Sequence, residues 1–324
     1  MEKVLVTGGA GYIGSIVCRL LLKEGYAVRT LDSLMFGGES IIELMNDPNF
    51  ELVTGDIREK NTVDQALEGV QHVAHLAAIV GDPACAVDPE LTKAVNLDAS
   101  KYLFEKANAN GVKKLVFSST CSNYGKMSDP ELFLNEESEL SPVSLYAETK
   151  VAYEQFLLGH KGSSTTNPIC LRFSTVYGLS PRMRFDLTVN EFTKELALGR
   201  ELVIFGEQFW RPYCHVLDLA RAVVEVIKAD DDKVAFEVFN VGNTKENYTK
   251  KMLVEEISKV IEGCEIKYVQ KNEDPRDYRV NFDKIKRVLD FDITYTVPEG
   301  IVHLYKVIKD GVILNPDDDK FRNS

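Results

Sequence analysis

Residues 7–14 read TGGAGYIG, and this stretch decides the fold class. Gly9, Gly11 and Gly14 satisfy the spacing G-x-G-x-x-G, and Gly8 adds a further glycine. The stretch follows the apolar run VLVT and opens a segment whose apolar residues recur at helical spacing. Glycines so placed permit a tight turn, close approach of the backbone to a pyrophosphate, and close helix–strand packing. They predict a dinucleotide-binding strand–turn–helix unit; the alternative is a glycine turn without a ligand.

Short β-branched runs alternate with helical patterns along the first half of the chain. The strand-like runs are 4–7, 27–32, 50–56, 72–78, 113–119 and 169–178. This alternation predicts a Rossmann-type doubly wound parallel sheet with helices on both faces. Further along, strand-like runs are predicted at 202–205 and 236–242, and helices at 186–198, 216–228 and 249–261.

Asp32 ends the second strand-like run, where a carboxylate would accept hydrogen bonds from the adenosine ribose hydroxyls. No arginine stands beside it to accommodate a 2′-phosphate, so we predict NAD rather than NADP. We therefore expect an NAD-binding domain over 1–178, with 212–245 returning to it. Residues 179–324 should form mainly a smaller C-terminal α/β substrate-binding lobe.

Composition excludes several functional classes. The 324 residues carry a net charge of −12, which disfavours a nucleic-acid binder, since such proteins gain affinity by neutralising phosphates. No apolar run approaches the roughly 20 residues of a membrane span, and no signal peptide is recognisable, so we expect a cytoplasmic protein. The six cysteines and five histidines form no metal-like spacing, and we expect reduced thiols and no metal.

Two further motifs carry chemistry. FSSTCSNYG (117–125) is the end of a buried strand opening into a polar segment, and Tyr146 and Lys150 stand four residues apart in YAETK. On a helix such residues share a face, so both side chains can reach one pocket. A nearby ammonium favours the tyrosine phenolate, which could then exchange a proton with a substrate hydroxyl.

Together these motifs resemble the extended short-chain dehydrogenase/reductase family, the NAD-dependent sugar-nucleotide epimerases, dehydratases and dehydrogenases. The resemblance spans nearly the whole chain. It includes TGGAGYIG, LDSLMFGG, GDIR (55–58), HLAA (75–78), FSSTCSNYG, YAETK, LRFSTVYG, RPYCHVLDLARA (211–222) and DPRDYRVNFDKIK (274–286). It implies NAD-dependent oxidation at C4 of a nucleoside-diphosphate sugar.

The resemblance also implies roles for individual residues. Thr120, Tyr146 and Lys150 would be catalytic. The expected NAD-binding residues are Gly8, Gly11, Tyr12, Ile13, Gly14, Asp32, Asp56, Ile57, Leu76, Ala77, Ala78, Asn96, Ser118, Tyr146, Lys150 and Phe173. The expected substrate-binding residues are Thr120, Asn190, Arg211 and Arg276. The two arginines would hold the diphosphate, although Arg211 could instead be a structural salt-bridge partner.

Cys121 and Ser122 bear on the choice of reaction. In the 4,6-dehydratases of this family the corresponding threonine is followed by Asp-Glu, the acid and base that eliminate water. A thiol and a hydroxyl are poor replacements for that pair, so dehydration is disfavoured. We interpret Cys121 as a packed apolar residue rather than a nucleophile.

The fate of the keto sugar is left open between an epimerase, which returns the hydrogen, and a 4-dehydrogenase, which releases the product. GDPAC (81–85), SPRMRFDLTVNEF (180–192) and the NEDPRDYRV region are more similar to a subgroup that includes GDP-manno-heptose 4-dehydrogenases. Arg182 and Arg184 could add positive charge near the diphosphate, or could cap a helix or pair on the surface. A catalytically idle NAD-binding member is a further alternative.

The resemblance implies a homodimer in which helices over 91–110 and 146–160 pair across a two-fold axis as a four-helix bundle. Candidate contacts are Val95, Leu103, Phe104, Tyr153 and Phe156. Some of these side chains must instead face the sheet.

Overall fold

The structure is a computed structural model that describes residues 1–127, 129, 131–270 and 276–323. Its strands are β1 (Lys3–Thr7), β2 (Ala27–Asp32), β3 (Phe50–Thr54), β4 (His72–His75), β5 (Lys114–Thr120), β6 (Asn167–Phe173), β7 (Thr175–Tyr177), β8 (Leu202–Phe205), β9 (Trp210–His215), β10 (Val238–Val241), β11 (Asn247–Thr249) and β12 (Ile266–Val269).

The α-helices are α1 (Gly14–Lys23), α2 (Lys60–Ala66), α3 (Asp82–Val87), α4 (Pro89–Lys93), α5 (Ser100–Ala109), α6 (Leu145–Leu158), α7 (Thr188–Ala197), α8 (Val216–Lys228), α9 (Asp231–Val234), α10 (Lys250–Ser258), α11 (Asp283–Leu289) and α12 (Val297–Lys309). A π-helical turn (Ala94–Ala99) joins α4 to α5, so the helix predicted over 91–110 is interrupted. Short 3₁₀ turns lie at Glu39–Asn46, Cys121–Tyr124, Thr244–Glu246 and Asp319–Phe321.

Seven parallel strands form the large sheet in the order β10-β6-β5-β4-β1-β2-β3. Successive strands run outward from β1 on one side and from β4 on the other, so the order reverses between these two neighbours. Ligands of open α/β sheets bind outside the carboxyl ends of the strands at such a point. The arrangement confirms the predicted Rossmann-type fold.

Both faces of this sheet are covered, as expected for parallel strands. Val4 and Val6 of β1 pack into a buried cluster with residues of α1 and α8, whereas Leu5 packs with α5 and α6 on the opposite face. Successive strand residues point to opposite faces, so one short strand contributes to both cores. Burying each such side chain contributes about 1.5–3 kcal/mol.

The five residues predicted to contact a second copy of the chain differ in how deeply they are buried. Leu103, Phe104 and Tyr153 are fully buried in the cluster beneath the sheet, whereas Val95 and Phe156 are only partly buried. The dimer stays a prediction, and Val95 and Phe156 are the two predicted contact residues that are still accessible to a partner.

A smaller lobe follows β6. The strands β11-β9-β7 form one small sheet and β12-β8 another, and both pack with α7, α10 and α12 around a separate apolar cluster. β10 pairs with β6 at the edge of the large sheet, and α8 packs against α1. β10 and α8 therefore lie with the NAD-binding domain, whereas β7 and β9 lie in the small sheet of the second lobe. The division of the chain at 178, with 212–245 returning to the first domain, stays a prediction.

Some boundaries differ from the sequence-based ones. The run 169–178 divides at Ser174 into β6 and β7, which join different sheets. The Ser174 hydroxyl donates to the Val241 carbonyl at 2.7 Å, which fixes the chain at this bend. In the part of the chain that the structure describes, no helix is long and apolar enough to cross a membrane.

Candidate active site

The glycine turn between β1 and α1 is packed too closely for side chains. Gly8 has φ +77°, and a Cβ there would lie 2.9 Å from the backbone nitrogen of Ala77. A Cβ on Gly14 would overlap the carbonyl oxygen of Gly8, and one on Gly9 would overlap Thr30. The turn therefore lies directly against the chain that leaves β4, forming a cradle of backbone at the switch point. This fits the close approach that a dinucleotide pyrophosphate requires.

Asp32 lies at the end of β2, beside this cradle. Its carboxylate accepts hydrogen bonds from the backbone nitrogens of Ala10, at 2.9 Å, and Leu34, at 2.8 Å. Burial raises its pKa, and the two backbone hydrogen bonds oppose that rise. Each carboxylate oxygen has a second lone pair, so the group can accept ribose hydroxyls as well.

A hydrogen-bonded chain connects β1 to β4. The Thr7 hydroxyl accepts from the backbone nitrogens of Leu76 and Ala77, both at 3.2 Å, so its own proton is directed to Nδ1 of His75 at 2.8 Å. Nε2 of His75 then donates to the Ser100 hydroxyl at 2.9 Å. Burial lowers the pKa of His75 to about 3, with a smaller effect from the charge of Lys150. The imidazole is therefore neutral, and it links β1, β4 and α5 through hydrogen bonds.

Asn96 shapes the loop that follows β4. It is buried within the π-helical turn, and its amide accepts from the Ile79 nitrogen at 2.8 Å and donates to the Ile79 carbonyl at 2.9 Å. Leu76 and Ala77 lie against Gly8 of the cradle, and Ala78 connects them to Ile79. Asn96 thus supports the loop, and a direct cofactor contact stays a prediction.

The other predicted cofactor residues follow the carboxyl ends of the parallel strands. Asp56 and Ile57 follow β3. Ser118 lies near the carboxyl end of β5, and Phe173 is the last residue of β6. Asp56 is ion-paired with Arg58 at 2.6 Å, and this contact lowers its pKa. The predicted cofactor set therefore collects along one edge of the sheet.

Lys150 lies on α6, where it is 3 % exposed. Its ammonium donates to the Ser118 carbonyl at 2.8 Å and lies 4.8 Å from the Phe117 ring and 5.7 Å from the Tyr146 ring. Burial lowers its pKa to about 7. A lysine in this state can bear or release a proton near neutral pH.

Tyr146 lies one turn before Lys150 on α6 and is close to Thr120. Burial raises the pKa of its phenol, and a hydrogen bond with the Thr120 hydroxyl acts in the opposite direction. The structure thus brings Thr120, Tyr146 and Lys150 together at the end of β5. Their catalytic roles stay predictions.

The segment after Thr120 forms a 3₁₀ turn. The Thr120 hydroxyl caps it by accepting from the Ser122 nitrogen at 3.1 Å. Cys121 points away into an apolar cluster, where its thiol donates to the Arg172 carbonyl at 3.2 Å and burial raises its pKa. Its environment agrees with a packing role, and Ser122 faces the hydroxyl of Tyr278 at 3.4 Å.

Sequence reasoning missed a buried polar network on the other side of β5. Glu154 of α6 forms an ion pair with Arg172 of β6 at 2.5 Å and accepts from the Ser119 hydroxyl at 2.8 Å. Arg172 also donates to the Tyr124 hydroxyl at 2.9 Å, and Tyr124 donates to Asn240 at 2.8 Å. The network ties α6 to the strand end that carries Thr120. No local sequence signal pairs these residues.

Asn190 was expected to bind substrate, but it is fully buried. Its amide accepts from the Gly178 nitrogen at 2.9 Å and donates to the Arg184 carbonyl at 2.8 Å and the Tyr12 hydroxyl at 3.1 Å. Tyr12 in turn donates to the Gly178 carbonyl. These contacts tie the glycine turn to segment 178–184, which differs from a direct substrate contact.

Arg182 and Arg184 both have protein partners. Arg184 pairs with both oxygens of Asp186, at 2.9 and 2.6 Å. Arg182 lies 4.3 Å above the Phe36 ring and donates to the Arg322 carbonyl at 2.8 Å. Of the two alternatives drawn from the sequence, these contacts favour pairing within the protein.

The predicted diphosphate-binding arginines approach Tyr278 from two segments. Arg211 of β9 donates to the Trp210 carbonyl at 2.6 Å, and its guanidinium lies 5.3 Å from the Tyr278 ring. Arg276 forms an ion pair with Asp82 at 2.7 Å. Residues 272–275, which begin the NEDPRDYRV (272–280) and DPRDYRVNFDKIK (274–286) motifs, lie outside the described residues.

Comparisons with known proteins agree with this geometry. The profile of the NAD dependent epimerase/dehydratase family matches residues 4–242. A UDP-glucuronate 4-epimerase of Thermodesulfobacterium geofontis is 29% identical over 326 residues, covering 97% of this chain and 98% of that protein.

Two solved structures are similar over nearly their full lengths. The UDP-glucose 4-epimerase of Thermotoga maritima with UDP-glucose has a TM-score of 0.85 and 27% identity, covering 96% of this chain and 100% of that one. The UDP-glucuronic acid 4-epimerase of Bacillus cereus, in complex with UDP-glucuronic acid and NAD, also has a TM-score of 0.85, with 25% identity and coverage of 95% and 99%. The predicted enzyme class and the cofactor NAD are confirmed. The chain belongs to the NAD dependent epimerase/dehydratase family.

Proposed function

We propose that this chain is a 4-epimerase that acts on a nucleoside-diphosphate sugar. The observation that carries the proposal is the grouping of Thr120, Tyr146 and Lys150 beside the glycine cradle, with no carboxyl group at positions 121 and 122. This set can move a proton at a sugar hydroxyl, but it lacks the acid–base pair that eliminating water requires.

The chain's residues would hold NAD along the carboxyl edge of the sheet. The pyrophosphate fits the backbone of Gly8, Gly11 and Gly14, and Asp32 would accept the adenosine ribose hydroxyls. When bound, NAD would supply reversible hydride transfer at C4 of the sugar. Lys150 would donate to the nicotinamide ribose.

Tyr146 would take the C4 hydroxyl proton and return it after the ring has turned over. Thr120 would orient that hydroxyl from its position beside Tyr146. In its protonated form Lys150 favours the phenolate of Tyr146, because an adjacent positive charge stabilises a developing negative one. General-base catalysis of this kind typically contributes about 10²–10⁴-fold.

The substrate's diphosphate would lie between Arg211 and Arg276, whose charges both act on Tyr278. Relatives named as UDP-glucose and UDP-glucuronate 4-epimerases support a UDP-sugar as substrate. The second candidate is a 4-dehydrogenase acting on a GDP-heptose. It is favoured by the resemblance of GDPAC (81–85) and SPRMRFDLTVNEF (180–192) to that subgroup.

A panel of sugar nucleotides tests the proposal. UDP-glucose, UDP-glucuronate, UDP-N-acetylglucosamine, dTDP-glucose, GDP-mannose and GDP-manno-heptose are each incubated with enzyme and an excess of NAD over the sugar nucleotide. Proton NMR follows the sugar, and absorbance follows the nicotinamide. The proposal expects one C4 epimer pair without net reduction of NAD. Stoichiometric reduction with release of a keto sugar would favour the dehydrogenase, and loss of water at C6 would contradict both candidates.

A further inference from the structure

One ion pair crosses the mouth of the candidate site. The Asp82 carboxylate accepts from the guanidinium of Arg276 at 2.7 Å, and both side chains are about one-third exposed, at 30% and 38%. Asp82 begins α3, just after the loop held by Asn96, whereas Arg276 precedes Tyr278 in the C-terminal part of the chain. The contact joins residues 194 positions apart.

Two guanidinium groups converge at this mouth. The positive charges of Arg211 and Arg276 both lower the pKa of Tyr278, although burial raises it overall. The Tyr278 hydroxyl faces Ser122, in the turn that follows Thr120. The cluster is therefore close to the catalytic candidates and carries the charge that a diphosphate would need.

Asp82 faces the same pocket from the other side. Its negative charge acts on the phenol of Tyr146 and on the thiol of Cys85, raising the pKa of each. A carboxylate at this place contacts the positive cluster and is also close to the reacting end of the site.

We propose that Asp82 is a placeholder for the substrate's diphosphate, exchanging with it on Arg276 and so helping to set nucleotide affinity. The inference rests on the proposed function, in which Arg276 binds that diphosphate. Guanidinium forms the same kind of charged hydrogen bonds with carboxylates and phosphates, so the two anions compete for one partner.

The effect of this exchange on nucleotide affinity can be estimated. Ion pairs of this exposure are typically worth no more than about fivefold in an equilibrium constant. A diphosphate has more negative charge than the Asp82 carboxylate and can also bind Arg211, so it displaces that carboxylate from Arg276. Because the ion pair must be broken, the nucleotide binds somewhat more weakly than it would without Asp82. Removing the Asp82 charge should recover that loss, and binding should tighten by about two- to fivefold.

The test is calorimetric titration of the NAD-loaded enzyme with UDP, GDP and dTDP, followed through whichever binds the wild type most tightly. Asp82→Asn should lower the Kd two- to fivefold, and Asp82→Glu, which keeps the charge, should leave it near the wild-type value. Glu90→Gln is the matched control, because it removes one negative charge from the next helix, where Glu90 pairs with Lys93. It should leave the Kd unchanged.

Arg276→Gln separates the two proposals. If it weakens binding and Asp82→Asn then has no effect in that background, the exchange is supported. If Arg276→Gln weakens binding but Asp82→Asn does not tighten it, or tightens it equally without Arg276, the placeholder role is wrong and the proposed function stands. If Arg276→Gln leaves the Kd unchanged, the proposed role of Arg276 itself is wrong.

Discussion

Helix α6 carries two buried ionisable side chains one turn apart, and the protein surrounds them in opposite ways. Glu154, 1% exposed, is paired with Arg172 and accepts from Ser119. Lys150, 3% exposed, donates to the Ser118 carbonyl, and no ion pair to it occurs within the described residues. Burial lowers the pKa of Lys150 to about 7.

The difference separates a charge that stabilises the fold from one that we propose serves the reaction. Dehydrating an ion costs several kcal/mol, and a hydrogen-bonded partner of opposite charge offsets much of that cost. Glu154 has such a partner, so its charge holds α6 against β5 and β6. Lys150 lacks one, so its charge destabilises the fold and is available to a neighbouring phenol. Perturbed groups of this kind cluster at functional sites.

The largest expected effect is on turnover. Tyr146→Phe removes the hydroxyl that we propose transfers the proton, and it should lower kcat by about 10²–10⁴-fold, while NAD binding changes little. Steady-state kinetics with the substrate found by the panel measures the loss, and calorimetry measures NAD affinity. Near-normal turnover in this variant would remove Tyr146 from the mechanism.

Neutralising Glu154 should strongly destabilise the protein. Glu154→Gln leaves the Arg172 guanidinium buried without its counter-charge, and breaking a buried pair in this way costs about 3–5 kcal/mol. Urea unfolding measures the loss. Glu148→Gln, on an exposed position of the same helix, is the control and should cost less than about 1 kcal/mol. Equal losses in both variants would contradict the structural role assigned to Glu154.

Replacing Lys150 by a neutral residue should instead raise the free energy of unfolding. The pKa of Lys150 is about 7 in the folded chain against an ordinary 10.5, so between these values the unfolded chain binds more protons. The free energy of unfolding of the wild type therefore rises with pH between about 7 and 10.5. Below pH 7 the lysine is charged in both states, and the folded state bears the full cost of burying that charge. Lys150→Met should be more stable than wild type by a few kcal/mol near pH 6.5, with the advantage shrinking toward pH 10. Urea unfolding as a function of pH measures this, and a variant less stable than wild type at every pH would contradict it.

The contrast also shows what the sequence could predict. Gly9, Gly11 and Gly14 and the spacing of Tyr146 and Lys150 are local patterns, and they identified the cradle and the helix that carries the pair. Repeated strand–helix alternation was enough to predict the parallel sheet. Burial is the main cause of the lowered pKa of Lys150, and no spacing rule reveals burial.

Contacts between distant segments could not be predicted. Glu154 meets Arg172 only because α6 and β6 both pack on β5, and Asp82 meets Arg276 only when the C-terminal segment folds back. For the same reason, an amide such as Asn190 can be assigned to substrate from a motif and lie fully buried in the structure. Side-chain partners of this kind depend on the assembled fold.

A smaller effect is expected on the preference for NAD over NADP when Asp32 is replaced. Asp32→Asn keeps an oxygen that can accept from Ala10 but removes the charge that would repel a 2′-phosphate. Affinity for NADP relative to NAD should rise by roughly tenfold, about 1.4 kcal/mol. Fluorescence titration with both cofactors measures the ratio. Wild-type protein that binds NADP as tightly as NAD would contradict the role given to Asp32.

The most direct test of the central claim follows the hydrogen at C4. The sugar nucleotide found by the panel is prepared with deuterium at C4 and converted in ordinary water, and a second sample without label is converted in heavy water. A 4-epimerase should return the C4 deuterium to the epimer without loss and should introduce no solvent deuterium at C5. Loss of the C4 label to solvent, or deuterium gained at C5, would contradict the proposed C4 epimerisation.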